Sequence, residues 1–178
     1  TDKTNDIVKE FIKSHPNEKI RLFEVKERKG KTNAQNEAQK TVTSEILVMT
    51  DANSMLDEKS IIELVAVFTD KDISYVCGRL VIINKDISDV SSSENTYWDR
   101  ETKIRKIESS IKTITAGNGA LYACRNADYY DFDPIRCHDS NMPRHFALNN
   151  KRALYNPDAI AYEKAGEVIE DEFKRKVR

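Results

Sequence analysis

The sequence predicts an α/β fold in which a mostly parallel sheet is flanked by helices. Short β-branched and aliphatic runs alternate with helix-period segments as far as residue 84, the order expected of strands joined by covering helices. The apolar run Glu45-Ile-Leu-Val-Met-Thr50 ends abruptly in Asp51-Ala52-Asn53. In open α/β sheets the ligand crevice lies beyond the carboxyl ends of the strands, so Asp51 and Asn53 stand where oxygen ligands would enter a cleft. A chain of 178 residues, 39% hydrophobic and 33% charged, suffices for one domain with a real core.

Each element has a local reason. Asp2 or Thr4 can cap a helix whose apolar face is Ile7, Val8, Phe11 and Ile12, ending before His15-Pro16. Residues 20–25 read as a strand. Gly30-Lys31 opens a polar helix, rich in Asn and Gln, that runs to about Thr43. Residues 45–50 are the next strand. Residues 57–68 then form an amphipathic helix that turns Ile61, Ile62, Leu64, Val65 and Phe68 inward. Residues 74–84 are strand-like, with Tyr75, Val76, Leu80, Val81, Ile82 and Ile83. There the alternation stops. Residues 86–93 read as a polar loop, residues 94–109 as a charged helix carrying Trp98, and residues 115–125 as a glycine-containing turn into Ala120, Leu121 and Tyr122. A last helix over residues 166–178 ends in Lys174-Arg-Lys-Val-Arg178.

Bulk properties narrow the function. Lys plus Arg (29) nearly balance Asp plus Glu (30), so no basic excess exists to grip a nucleic-acid backbone. Cys77, Cys124 and Cys137 are an odd set without metal-ligand spacing, which predicts buried free thiols in a reducing, cytoplasmic compartment. No run approaches the roughly 18 apolar residues of a membrane span, and no signal peptide opens the chain. The basic end is compatible with the cytoplasmic face of a membrane, reached through flanking segments. Thr1-Asp2-Lys3-Thr4 enters a helix pattern without an initiator Met, so residues 1–178 read as a fragment, a single domain truncated at its N-terminus and at its C-terminus.

Seven segments, in order, carry a resemblance. Gly30-Lys-Thr-Asn-Ala-Gln-Asn-Glu-Ala38 is close to G-K-x-x-A-L-N-x-A, and Asp51-Ala52-Asn53 stands in the place of a D-x-D. Val76-Cys-Gly-Arg-Leu80 and Trp98-Asp-Arg-Glu101 follow. Ala116-Gly-Asn-Gly-Ala-Leu-Tyr-Ala-Cys-Arg125 is similar to G-x-N-G-A-L-Y-A-x-R, and His138-Asp139, with Pro143 after it, occupies the position of an acidic pair. Asn156-Pro157-Asp158-Ala159 with Glu163, then Glu172-Phe-Lys-Arg-Lys-Val-Arg178, resemble a closing segment. Together these resemble a family 2 glycosyltransferase with a GT-A, Rossmann-like domain.

The resemblance implies an inverting, hexosyltransferase-type enzyme. It would move a sugar from a nucleotide-diphosphate donor, expected to be UDP-linked, to a hydroxyl of a glycan or lipid-linked acceptor in surface polysaccharide synthesis. Negative charge builds on the departing diphosphate and calls for a divalent ion, Mn²⁺ or Mg²⁺, with oxygen ligands. Asp51 and Asn53 are the implied metal ligands, although an amide at position 53 departs from the commoner carboxylate. Asp139 is the implied base, since a carboxylate beside a sugar hydroxyl can take its proton; His138 would be its partner or a base itself. Lys31 at a helix start, Asn36, Asp51, Asn118, Arg175 and Arg178 would face the nucleotide sugar. Trp98 and Glu101 would line the acceptor side. The rival expectation is a domain of the same fold that binds a nucleotide sugar or glycan, or scaffolds an assembly, without catalysis.

Overall fold

The structure is a computed structural model that describes residues 3–27, 29–84, 86–166, 168, 170, 173 and 177. In chain order the elements are α1 (Thr4–Ser14), α2 (Lys31–Gln39), β1 (Ile46–Thr50), β2 (Met55–Leu56) and α3 (Ser60–Ala66). Then come β3 (Ile73–Ile82), α4 (Asp89–Ile111), β4 (Leu121–Arg125), α5 (His138–Leu148) and β5 (Arg152–Glu163). Short 3-10 turns at Val67–Thr69 and Asn126–Asp128 follow α3 and β4.

The α/β class holds, and the sheet is mixed rather than mostly parallel. Its order is β1-β4-β3-β5-β2, and among the described residues only β3 and β5 pair in parallel. The alternation that suggested a parallel sheet is real, because β1 and β3 both run antiparallel to β4 and so point the same way. What the alternation could not show is that β4, from far along the chain, inserts between them.

Both faces of the sheet are covered, which explains why β3 is a nearly continuous apolar run. Val76, Leu80 and Ile82 pack on one side with Leu64 and Phe68 of the α3 region. Tyr75 and Cys77 point the other way, into a cluster with Tyr122, Cys124, Met142, Phe146 and Tyr155. Cys77 and Cys124 are buried free thiols, pushed up to about 12 by desolvation. Cys137, at the N-cap position of α5, is also free but exposed.

Several boundaries differ from expectation for local reasons. Residues 20–25 form no strand, since a strand needs a neighbour. Phe23 instead borders a groove of about 640 Å³ shared with α2 and the outer edge of β1. The first helix has Lys3 at its N-cap position without a side-chain cap, and Thr4 lies inside it. Residues 89–93, read as part of a loop over 86–93, belong to α4, which starts at Asp89 because Ser88 and Ser91 cap each other's backbone amides. The elements α5 and β5 were not anticipated as such. Most of the helix expected over residues 166–178 lies outside the described residues. Among the described residues no helix is long and apolar enough to cross a membrane.

Candidate active site

The site assembles where three elements end. Strand β1 delivers Asp51 from its carboxyl end, and the chain turns at once, with the Ser54 N–H donating to the Asp51 carbonyl at 3.1 Å. Ser54 Oγ then donates to Glu163 at the end of β5, closing the turn onto the sheet. Gly30 enters α2 with φ +92°, a conformation that favours glycine, and places Lys31 as the first helical residue. From there the Lys31 ammonium pairs with Asp51 Oδ1.

The loop 116–119 forms the floor. Buried Arg105 of α4 donates through Nε to the Ala116 carbonyl at 2.9 Å and through Nη2 to the Gly117 carbonyl at 3.0 Å. Glu101 pairs with Arg105 at 3.1 Å, and the guanidinium lies 5.6 Å from the Trp98 ring centroid. Glu101 thus holds the loop's anchor. Asn118 is buried, donating to the Gly78 carbonyl at 2.8 Å and accepting from the Leu121 N–H at 3.3 Å.

Gly119 marks the point of convergence. A methyl group on its Cα would lie 2.9 Å from Asp51 Oδ2, 3.2 Å from Asp139 Oδ2 and 3.2 Å from Lys31 Nζ. Two carboxylates and an ammonium from three separate elements therefore surround one side-chain-free position. Beside it opens a cavity of about 160 Å³ lined by Asp51, Glu94, Trp98, Asn118, Asp139 and Glu163. Glu94 accepts from Trp98 Nε1 at 3.2 Å. Its place in the cavity was not anticipated, although its i, i+4 spacing to Trp98 puts both on one helix face. Exposed Lys164 at the rim carried no signal in the sequence.

Other anticipated residues lie elsewhere. Asn36 is buried behind the site, donating to the Phe132 carbonyl at 2.8 Å and accepting from Tyr129 at 2.9 Å. It supports the loop and does not line the cavity. Asn53 is exposed past the Asp51 turn. Arg175 and Arg178 lie outside the described residues. Among the described residues no three His, Cys, Asp or Glu side chains gather as a metal site. Asp51 and Asn53 carry hard oxygen donors of the kind Mg²⁺-type ions take, and such ions commonly take only one or two protein carboxylates.

His138 turns away from the cavity. It is 2% exposed, with Nδ1 3.0 Å from Gln35 Oε1 and Nε2 2.9 Å from the Tyr129 hydroxyl. Both ring nitrogens therefore have partners inside the protein rather than in the cavity. Desolvation lowers its pKa from 6.5 to about 4. A depressed histidine stabilises the fold above its unfolded pKa, and that contribution is lost as pH falls through 6.5 toward 4. The gap corresponds to ~3 kcal/mol. Urea midpoints at pH 7.5 and 4.5 should show this loss in the parent and a smaller one in His138→Gln. An equal loss in both would mean that other groups cause it.

A search of curated proteins found no match. Among solved structures the chain is similar to a mannosyltransferase from Pyrobaculum calidifontis in complex with GDP-Man and Mn²⁺, at 23% identity and TM-score 0.79. That alignment covers 98% of this chain and 48% of the other, so the chain spans about half its length. It is also similar to glucosyl-3-phosphoglycerate synthase from Mycobacterium tuberculosis in complex with phosphoglyceric acid, at 14% identity and TM-score 0.50, covering 97% and 60% of the two chains. At these identities the likeness shows the fold, which is of the GT-A type. The model of "Glycosyl transferase family 2" matches residues 1–154, most of the chain, and the chain belongs to that family.

Proposed function

We propose that the domain transfers a sugar, with inversion, from a nucleotide-diphosphate donor to a hydroxyl of a glycan or lipid-linked acceptor in surface polysaccharide synthesis. The observation that carries this is the convergence of Asp51, Lys31 and Asp139 on Gly119. Asp139 takes the acceptor's proton as the acceptor oxygen bonds to the anomeric carbon. The bond from that carbon to the diphosphate oxygen breaks, and its electron pair leaves with the nucleotide. Lys31, at the amino end of α2, meets the charge that develops there. A bound Mn²⁺ or Mg²⁺, held by Asp51 and Asn53, would add Lewis-acid stabilisation of the departing diphosphate. Arg175 and Arg178 are proposed as further diphosphate contacts. Trp98 offers a flat apolar face to a sugar ring, and a single base with no nucleophilic partner accords with inversion.

The test is titration calorimetry with UDP and with GDP. Binding should tighten about tenfold with Mn²⁺, an ordinary coupling between two ligands, and should be lost in Asp51→Ala. A non-catalytic binding domain is the second reading, favoured by the amide of Asn53 where a carboxylate would hold the ion better. Nucleotide binding without donor turnover under any divalent ion would select it. No binding of either nucleotide would sink the transferase reading.

A further inference from the structure

We propose that Pro143 is a positioning residue: it withholds an amide hydrogen from α5 and so assigns the backbone carbonyl of Asp139 to Gly117 and Tyr75, fixing the base against the 116–119 loop. The functional part rests on Asp139 being the base. Within an α-helix each carbonyl accepts from the N–H four residues later. For Asp139 that residue is Pro143, which has no N–H and whose ring crowds the carbonyl four residues back. The proline is fully buried six positions into the helix, where it is ordinarily strongly disfavoured.

The released carbonyl is not left to solvent. It accepts from the Gly117 N–H at 2.9 Å and from the Tyr75 hydroxyl at 3.2 Å. Tyr75 is fully buried, and desolvation raises its pKa well above the ordinary value, so the hydroxyl keeps its proton to donate. A methyl group at Gly117 would lie 2.0 Å from that hydroxyl oxygen and 2.7 Å from the Asp139 carbonyl, so only glycine permits the approach. The other side of the Gly117 residue is held by Arg105. The loop thus holds the Asp139 backbone through Gly117 and places side-chain-free Gly119 beside the carboxylate, where a methyl group would lie 3.2 Å from Oδ2. A proline merely tolerated in the helix would leave its orphan carbonyl to water. Here both replacement donors come from other elements, and one of them belongs to the cavity floor.

Pro143→Ala restores the helical N–H, which competes for a carbonyl that already accepts two donors. Amide hydrogen exchange at Gly117 should accelerate about tenfold or more as that bond opens. The kcat should fall by about tenfold or more, because small displacements of a reacting group are costly, while the nucleotide Kd stays within about twofold. Unchanged exchange at Gly117 would overturn the assignment of the carbonyl, and faster exchange with parental kcat would overturn its positioning role. If Pro143→Ala folds poorly, Tyr75→Phe removes one donor and keeps the ring. It should lower kcat at constant nucleotide Kd, and parental kcat there would overturn the positioning role. Exchange is measured without donor, so a parent chain that transfers no sugar would defeat the base reading and leave Gly117 exchange to decide the carbonyl's assignment.

Discussion

Asp139→Asn is expected to lower sugar transfer by about 100-fold or more, the usual range for loss of a general base, and to leave nucleotide affinity within about twofold. The substitution keeps the shape and the acceptor for the Ser140 N–H, which meets Asp139 Oδ1 at 3.0 Å. It removes the carboxylate's charge and with it the ability to take a proton. Asp139 is the candidate whose carboxylate meets Gly119 beside Asp51 and Lys31, and the others are held by their own partners. Both ring nitrogens of His138 are bonded inside the protein, Glu163 accepts from Ser54, and Glu94 accepts from Trp98. Donor turnover and nucleotide titration on the same preparation make the test. A variant that keeps most of its activity would show the base assignment to be wrong, and Glu163 would be the next carboxylate to examine.

What the sequence revealed and what it hid follow from the range of the forces involved. The strand ending at Asp51 was legible because a buried strand is an apolar run with a sharp polar stop. The strand at β3 was legible for the same reason, and Leu64 and Phe68 because they recur at helical spacing. The direction of β4 was not, since pairing between residues 46–50 and 121–125 leaves no local pattern. β5 was hidden by Pro157, which argues against a strand interior. The structure accommodates it by setting residues 156–159 opposite Gly78 alone, between the pairs Cys77–Tyr155 and Arg79–Ile160. α5 was hidden by Pro143. The site residues divide in the same way. Lys31, Asp51, Asn118 and Asp139 sit in motifs that survive as short strings, and the structure brings them together. Asn36 and His138 sit in similar strings but are turned inward by Tyr129, Gln35 and Phe132, partners that lie 9 to 103 residues away.

Gly119→Ala and Gly78→Ala are expected to separate the site from the fold. At Gly119 the added methyl meets the tips of Asp51, Asp139 and Lys31, side chains that can swing aside. Stability should therefore change little, while the ring of charges spreads and transfer falls by about 100-fold, the scale of a 1 Å misplacement. At Gly78 the methyl would lie 2.4 Å from the Ala159 carbonyl oxygen and 3.0 Å from Leu121 Cδ2. Neither can yield freely, because the carbonyl is backbone of a fully buried residue next to the paired Ile160, and Leu121 is fully buried as well. Overpacking of this kind costs about 3 kcal/mol at the upper end of its usual range. Asn118, bonded to the Gly78 carbonyl, would shift with it, so activity should fall only together with stability. Denaturant midpoints and transfer rates of the two variants decide the matter. If Gly119→Ala loses as much stability as Gly78→Ala, then Gly119 is glycine for packing, and its place among Lys31, Asp51 and Asp139 no longer argues for catalysis.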